Sequence, residues 1–290
     1  MNHQRFFISP NSIDKERETI LVDDHKLAKQ ISKVLRLKAG DRLDFLDGKG
    51  NLYEAVLEGV DRNTVAAKVV KCIELASDKK DKATISVVFP PLRHGRFEWA
   101  LEKLTELGAD RICPVIFQRS VSRPSDQKGL TPNNAFGSCG DKKEVSWLKN
   151  REAPAENAST KVSRWQAIIR ESAEQCERLV LPHLVQVQSF EDFLQGEGQG
   201  TANEVRLICA ERRDAPFLSA VLCNHPALMA APLITIAVGA EGGFTTQEIE
   251  QAVSFGYLPV SLGANILRAE TAIVYALAIV ASTQEAPQSP

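Results

Sequence analysis

Residues 234–252 read ITIAVGAEGGFTTQEIEQA, and residues 260–282 read VSLGANILRAETAIVYALAIVAS. In the first stretch an apolar strand pattern over 233–238 runs into Gly239-Ala240-Glu241-Gly242-Gly243. Thr245, with Glu248 three residues on, forms a capping-box pattern, so a helix is expected to open there and to end at Gly256. Glycines at a strand-to-helix turn permit positive φ and close approach of the backbone to a ligand. The helix start adds unpaired N–H groups that suit an anionic or carbonyl group. A tight turn with no ligand fits the same residues. The spacing is not Gly-x-Gly-x-x-Gly and no Gly-Lys-Ser/Thr follows, which argues against a dinucleotide fingerprint and a P-loop. In the second stretch a strand over 259–262 ends at Leu262-Gly263, and a short loop carries Ile266, Leu267 and Arg268. Glu270-Thr271 then open a helix over 270–281 that is apolar nearly all round, so burial on most sides is expected. Such a helix is either docked in a dimer interface or threaded under a loop.

Working outward, the chain from Ala83 alternates strands with helices. Strand patterns fall at 85–89, 112–117 and 205–210. Phe97, Ala100, Leu101, Leu104 and Leu107 share one helix face, with Gly108 closing it. Ser163 with Gln166 suggests another capping box, opening a helix to about residue 179 that Pro182 stops. This alternation implies an α/β domain with a parallel sheet covered by helices. Residues 125–161, rich in Pro, Asn, Gly, Ser and charge, read as a flexible insertion.

The first 76 residues differ. Leu27, Ile31, Val34 and Leu35 lie at helical spacing, closed by Ala39-Gly40. Period-two stretches at 42–46, 52–60 and 64–72 follow, separated by turns, which predicts a helix and a β-meander in a small barrel-like domain. The charged run 77–82 reads as a linker.

With 43% apolar residues, a packed core needs no disulfide or metal staple. The six cysteines form no Cys-x-x-Cys pair and none sits near a His at ligand spacing, so reduced thiols and no metal site are expected. Met1 to Asp14 lacks a basic-then-apolar leader, and the longest apolar run, Ala272 to Ala281, is half of the about twenty residues a membrane span needs. A cytoplasmic chain without a membrane is expected. The net charge of −2 is unevenly spread: residues 184–290 hold 11 acids against 4 bases, so a polyanion is expected to touch the first two thirds.

GAEGGFT at 239–245 followed by SLGANILRAETA at 261–272 resembles the paired loops of the 16S ribosomal RNA uridine-N3 methyltransferases, the RsmE family. RFFIS (5–9), EKLTELGADRICPV (102–115), QRSVSR (118–123) and RWQAIIRESAEQCERLVLP (164–182) are similar to the same family, in the same order. The likeness is gapped but spans almost the whole chain. It implies a C-terminal trefoil-knotted SPOUT methyltransferase domain over 83–286 with a parallel sheet, preceded by a small PUA-like RNA-binding β-barrel domain over 1–76. It also implies S-adenosyl-L-methionine as cofactor, 16S ribosomal RNA in the small ribosomal subunit as substrate, and a homodimer. The chain departs from the family at Ala240 and at Ala264-Asn265, where Pro and Pro-Arg are usual, at Gln118, usually Glu, and at Cys176-Glu177, usually Ser-Gly.

Carried onto this sequence, the resemblance puts the cofactor at Gly239, Glu241, Gly242, Gly243, Leu262, Gly263, Ile266, Leu267, Thr271 and Ala272. Arg268 becomes the candidate for a substrate phosphate or the developing uracil oxyanion, against an ion pair with Glu270 or Glu241. Glu174 and Arg178, one helical turn apart, are candidates for the substrate pocket, against a surface ion pair. Arg5, Lys29, Lys33, Arg36, Arg119 and Arg123 are candidates for RNA contact, against solvated positions. Two alternatives stand beside this: a methyltransferase of the same fold acting on another RNA, and a non-catalytic RNA-binding assembly factor.

Overall fold

The computed structural model describes residues 4–74, 83–93, 95–120, 160–196, 204–210, 215–224 and 233–285. The linker read at 77–82 and Arg123 lie outside these, as does the stretch 125–161 apart from its last two residues. The described residues form two compact units. One holds 4–74 together with 173–181, and the other holds the rest.

In the first unit the strands are β1 (Arg5–Phe7), β2 (Ile13–Asp14), β3 (Thr19–Asp23), β4 (Arg42–Leu46), β5 (Asn51–Val60) and β6 (Thr64–Glu74). They form one sheet in the order β1-β4-β5-β6-β3-β2, of which β4 to β6 are the expected meander. Alternation puts Tyr53, Ala55 and Leu57 of β5 into a core with Phe6, Ile20, Leu43 and Phe45. Helix α1 (His25–Lys29) starts where the Asp24 side chain accepts from the Lys26 and Leu27 N–H groups. The regular helix expected up to Gly40 does not form. The chain widens into a π-helical turn at Gln30–Val34, and Arg36 takes a left-handed φ of 58°. That wider turn leaves Val34, placed on the apolar face by its spacing, 69% exposed.

A second cluster of this unit joins Phe7, Leu46 and Leu52 to Ala173, with Leu179 and Leu181 packed against it. Gly48 (φ +69°) lies beneath this cover, since a Cβ there would meet Leu181 Cδ1 at 3.4 Å. The first unit is therefore completed by residues from much later in the chain.

The second unit contains β7 (Thr84–Phe89), β8 (Arg111–Ile116), β9 (His183–Leu184), β10 (Gln188–Ser189), β11 (Glu204–Cys209), β12 (Leu233–Val238) and β13 (Leu258–Val260). Its helices are α2 (Arg96–Glu106), α3 (Thr160–Gln175), α4 (Phe190–Gln195), α5 (Leu218–Asn224), α6 (Thr246–Ser254) and α7 (Ala269–Glu285), with the last three residues of α3 counted in the first unit. The sheet runs β10-β8-β7-β12-β11-β13, with β9 also on β8, and every pairing in it is parallel. This is the α/β arrangement expected from the alternation. The chain winds from β7 to β8 toward one edge, then crosses over to build β11, β12 and β13 on the other side of β7. Ligands of open α/β sheets bind outside the carboxyl ends of the strands, where the winding reverses.

Two local expectations change. Ser163 lies inside α3 rather than capping it. That helix ends at Gln175, not near 179, because Glu177 adopts a φ of 59° and the Arg178 N–H closes onto the Ala173 carbonyl at 2.9 Å. Helix α7 is covered on most sides, as its apolar pattern implies. Ala272, Ile273, Ala276, Leu277 and Val280 are buried, toward α2, α5, β7 and β12, while Thr271 and Tyr275 are exposed. Among the described residues no helix is long and apolar enough to cross a membrane.

Candidate functional site

Strand β12, buried from Ile234 to Val238, delivers the glycine turn to the carboxyl edge of the sheet. The Gly243 N–H donates to the Ala240 carbonyl at 2.8 Å, and Gly243 has a φ of +66°, a conformation that favours glycine. Gly239 is required for another reason. Phe244 folds back onto it, so a Cβ there would sit 3.1 Å from both Phe244 Cδ2 and the Phe244 nitrogen. The Phe244 ring meets Phe117 edge-on at 5.0 Å, inside the core. From the turn after β8, Arg119 Nη1 donates to the carbonyls of Gly242 (3.0 Å) and Phe244 (3.3 Å). A Cβ on Gly242 would lie 3.0 Å from Arg119 Cβ.

Helix α6 opens with the capping box read from the sequence. Thr245 Oγ1 accepts from the Glu248 N–H at 3.1 Å, and Glu248 Oε2 accepts from the Thr245 N–H at 2.8 Å. The other oxygen, Glu248 Oε1, accepts from the Gln118 N–H at 2.7 Å. Glu248 is thus a buried carboxylate whose hydrogen bonds join the turn after β8 to the start of α6.

The loop after β13 is more open. Leu262 is buried and Leu267 half-buried, but Gly263, Ala264, Asn265, Ile266 and Arg268 are exposed. Gly263 has a φ of +134°, and its N–H donates to Ser261 Oγ at 3.3 Å. The Arg268 carbonyl accepts the Ala272 N–H at 2.8 Å as α7 begins, which puts Glu270 in the first helical turn.

A third loop, after β7, ends at Gly95 (φ +77°), and Arg96 is the first residue of α2. Arg96 Nη1 lies 3.8 Å from Glu241 Oε1, and its Nε lies 3.7 Å from Glu270 Oε1. One guanidinium therefore faces an acid from each of the two motifs, Glu241 in the glycine turn and Glu270 in the first turn of α7, at ion-pair rather than hydrogen-bond distances. Glu270 Oε2 is buried with no hydrogen-bond partner among the described residues. The ion pair considered for Arg268 is made instead by Arg96, which the motif-based reading missed. Its only local signal is an Arg directly after a glycine at a strand-to-helix junction.

The cofactor candidates Gly239, Glu241, Gly242, Gly243, Leu262, Gly263, Ile266, Leu267, Thr271 and Ala272, with Arg268, all lie on the two loops at this edge or in the first turn of α7. Arg119 is held at the same edge, its guanidinium turned to main-chain carbonyls. Glu174, Arg178, Arg5, Lys29, Lys33 and Arg36 belong to the first unit. There Glu174 Oε1 accepts from the Phe7 N–H at 2.9 Å, and Arg5 pairs with Glu177 at 2.9 Å and Asp44 at 3.8 Å. Arg178 is half-buried, while Lys29, Lys33 and Arg36 are exposed.

A family model described as an RNA methyltransferase domain matches residues 79–134 and 145–281, and one described as an RNA methyltransferase PUA domain matches residues 31–70. The chain is 32% identical over 253 residues to ribosomal RNA small subunit methyltransferase E of Synechocystis, covering 86% of this chain and 68% of that protein. It is 26% identical over 282 residues to the protein of the same name from Bacillus subtilis, covering 97% of each. Among solved structures, ribosomal RNA small subunit methyltransferase E from Neisseria gonorrhoeae, bound to S-adenosyl methionine, superposes with a TM-score of 0.71 at 24% identity, covering 98% of this chain and 97% of that one.

Proposed function

The chain belongs to the RNA methyltransferase family that includes the ribosomal RNA small subunit methyltransferase E proteins, and from that premise we propose that it methylates N3 of a uridine in 16S ribosomal RNA of the small ribosomal subunit, with S-adenosyl-L-methionine as donor. The observation that carries this is the meeting of two motif-bearing loops, from β12 and β13, around Arg96 at the carboxyl edge of a parallel sheet.

The residues fit the cofactor on three counts. Gly239 and Gly242 let Phe244 and Arg119 pack against the turn and fix its backbone, while Gly243, with nothing within 4 Å of an added Cβ, leaves its side of the backbone open to a ligand. Glu270 Oε2 is a buried acceptor without a partner among the described residues. Arg96, Glu241 and Glu270 together carry one net negative charge, which suits a cationic sulfonium. Main-chain groups near Gly239, Gly243, Leu262 and Leu267 would hold the nucleoside and methionine parts, with Leu262, Ile266 and Leu267 offering apolar surface to the adenine. When bound, the cofactor supplies an already activated methyl group. The chain's own work is alignment and the management of charge on the uracil. N3 carries a proton at neutral pH, and its loss leaves negative charge on the base. Arg268, exposed and without an ion pair among the described residues, is the group assigned to stabilise that charge. Glu174, with its carboxylate engaged by the Phe7 amide, positions the segment that carries Arg178. Lys29, Lys33, Arg36, Arg5, Arg119 and Arg123 remain candidates for RNA contact.

The same proposal includes a SPOUT trefoil knot, a homodimer and a cytoplasmic location. Support for the dimer comes from α7, which stays partly open in one chain although it is almost wholly apolar, with Tyr275 46% exposed. The deciding experiment is methyl transfer to small ribosomal subunits lacking the modification, with mass mapping of the product. A single added methyl on a uridine of 16S RNA is the expected result. Methyl transfer only to another RNA would reassign the substrate, and no affinity for S-adenosylmethionine in calorimetry would leave a non-catalytic RNA-binding factor.

A further inference from the structure

We propose that Arg96 is a positioning residue that sets the spacing of the two loops gripping the cofactor. This rests on the assignment of those loops made above. Strands β12 and β13 are not neighbours, because β11 lies between them. No ladder hydrogen bonds therefore join the turn after β12 directly to the loop after β13, and both strands take their register from β11, which ends at Cys209. Arg96 spans them, with Nη1 toward Glu241 and Nε toward Glu270.

The cation stands on the rigid side of this tie. Helix α2 is anchored by Phe97, Ala100, Leu101 and Leu104, all buried, and its first turn is closed by the Trp99 N–H donating to the Gly95 carbonyl at 2.9 Å. Of the acids, Glu241 stands on the glycine turn and Glu270 in the first turn of α7, where the loop after β13 ends. Site geometry is best held when the fixed partner lies on a regular element. Arg96 is 39% exposed, so solvent screens both pairs and the fold gains little from them. Glu270 is held toward Arg96 through one oxygen, while its other oxygen is buried without a partner among the described residues, an arrangement that favours ligand binding over stability.

The test is calorimetry of the full chain with S-adenosylmethionine and with S-adenosylhomocysteine, which lacks the positive sulfur, for the wild type, Arg96→Ala and Arg96→Lys. Arg96→Ala should weaken both ligands about tenfold, because both need the same loop spacing. Its unliganded Tm should move by less than about 2 °C. At 3.7–3.8 Å the tie is Coulombic rather than a directional fork, so Arg96→Lys should recover most of the affinity. An Arg96→Ala variant that binds both ligands within about twofold of wild type overturns the inference while leaving the site assignment intact. A loss confined to one ligand, or one that follows a large fall in Tm and is not recovered by Lys, overturns it as well. A wild-type chain that binds neither ligand overturns the site assignment and this inference with it.

Discussion

Phe244, Arg119 and Glu248 hold the turn after β12 from three sides, whereas the loop after β13 leaves Gly263 to Ile266 exposed, with a Ser261 hydroxyl contact at 3.3 Å. Both loops rise from the same edge of the same sheet. The first is built by exclusion, since a methyl group at Gly239 or Gly242 would collide with neighbours already in place. The second is open in space, with nothing within 4 Å of a Cβ added at Gly263, although the φ of +134° there still favours glycine. A prebuilt wall beside an open one lets a ligand enter without unfolding the scaffold, and the ordering cost of binding falls on the open side.

Four substitutions break or sharpen this contrast. Gly242→Val should have the largest effect, weakening S-adenosylmethionine by about 100-fold or more in calorimetry, because the new side chain displaces Arg119 and with it the turn. Normal affinity in that variant would show the turn to be unrelated to the cofactor. Next, Glu248→Ala should lower the stability of the unliganded chain by about 2 kcal/mol in denaturant melts, since it leaves the Gln118 and Thr245 N–H groups without their acceptor. Arg268→Ala, on the open loop, should cut turnover about tenfold (about 1.4 kcal/mol) with cofactor affinity unchanged. An equal loss in both quantities would move Arg268 to the cofactor. Ile266→Ala should be mildest, about threefold in cofactor affinity with Tm unchanged, because the side chain is 64% exposed before the ligand covers it.

The division between the two loops also marks what could be read in advance. The glycine turn, the capping box at Thr245 and the parallel sheet were legible because each depends on residues close in sequence. The same holds for the meander of β4 to β6. Arg96 was not legible, because its meaning depends on β7 lying beside β12, a pairing set by the crossover and not by local pattern. Arg119 could be seen as a cation at a strand end, but its engagement by the Gly242 and Phe244 carbonyls depends on a contact across more than 120 residues. The π-helical turn at Gln30–Val34 was hidden because the spacing of Leu27, Ile31 and Leu35 suits a regular helix equally well.

The cover that Ala173, Leu179 and Leu181 place over Phe7, Leu46 and Leu52 has a consequence for how the molecule is made. As the nascent polypeptide emerges from the ribosome, its amino-terminal portion must wait roughly ten seconds, at ordinary elongation speeds, for the piece that seals it. A fragment cut after residue 76 would keep that apolar seam bare, so excising the amino-terminal module as an independent reagent calls for grafting residues 173–181 back on.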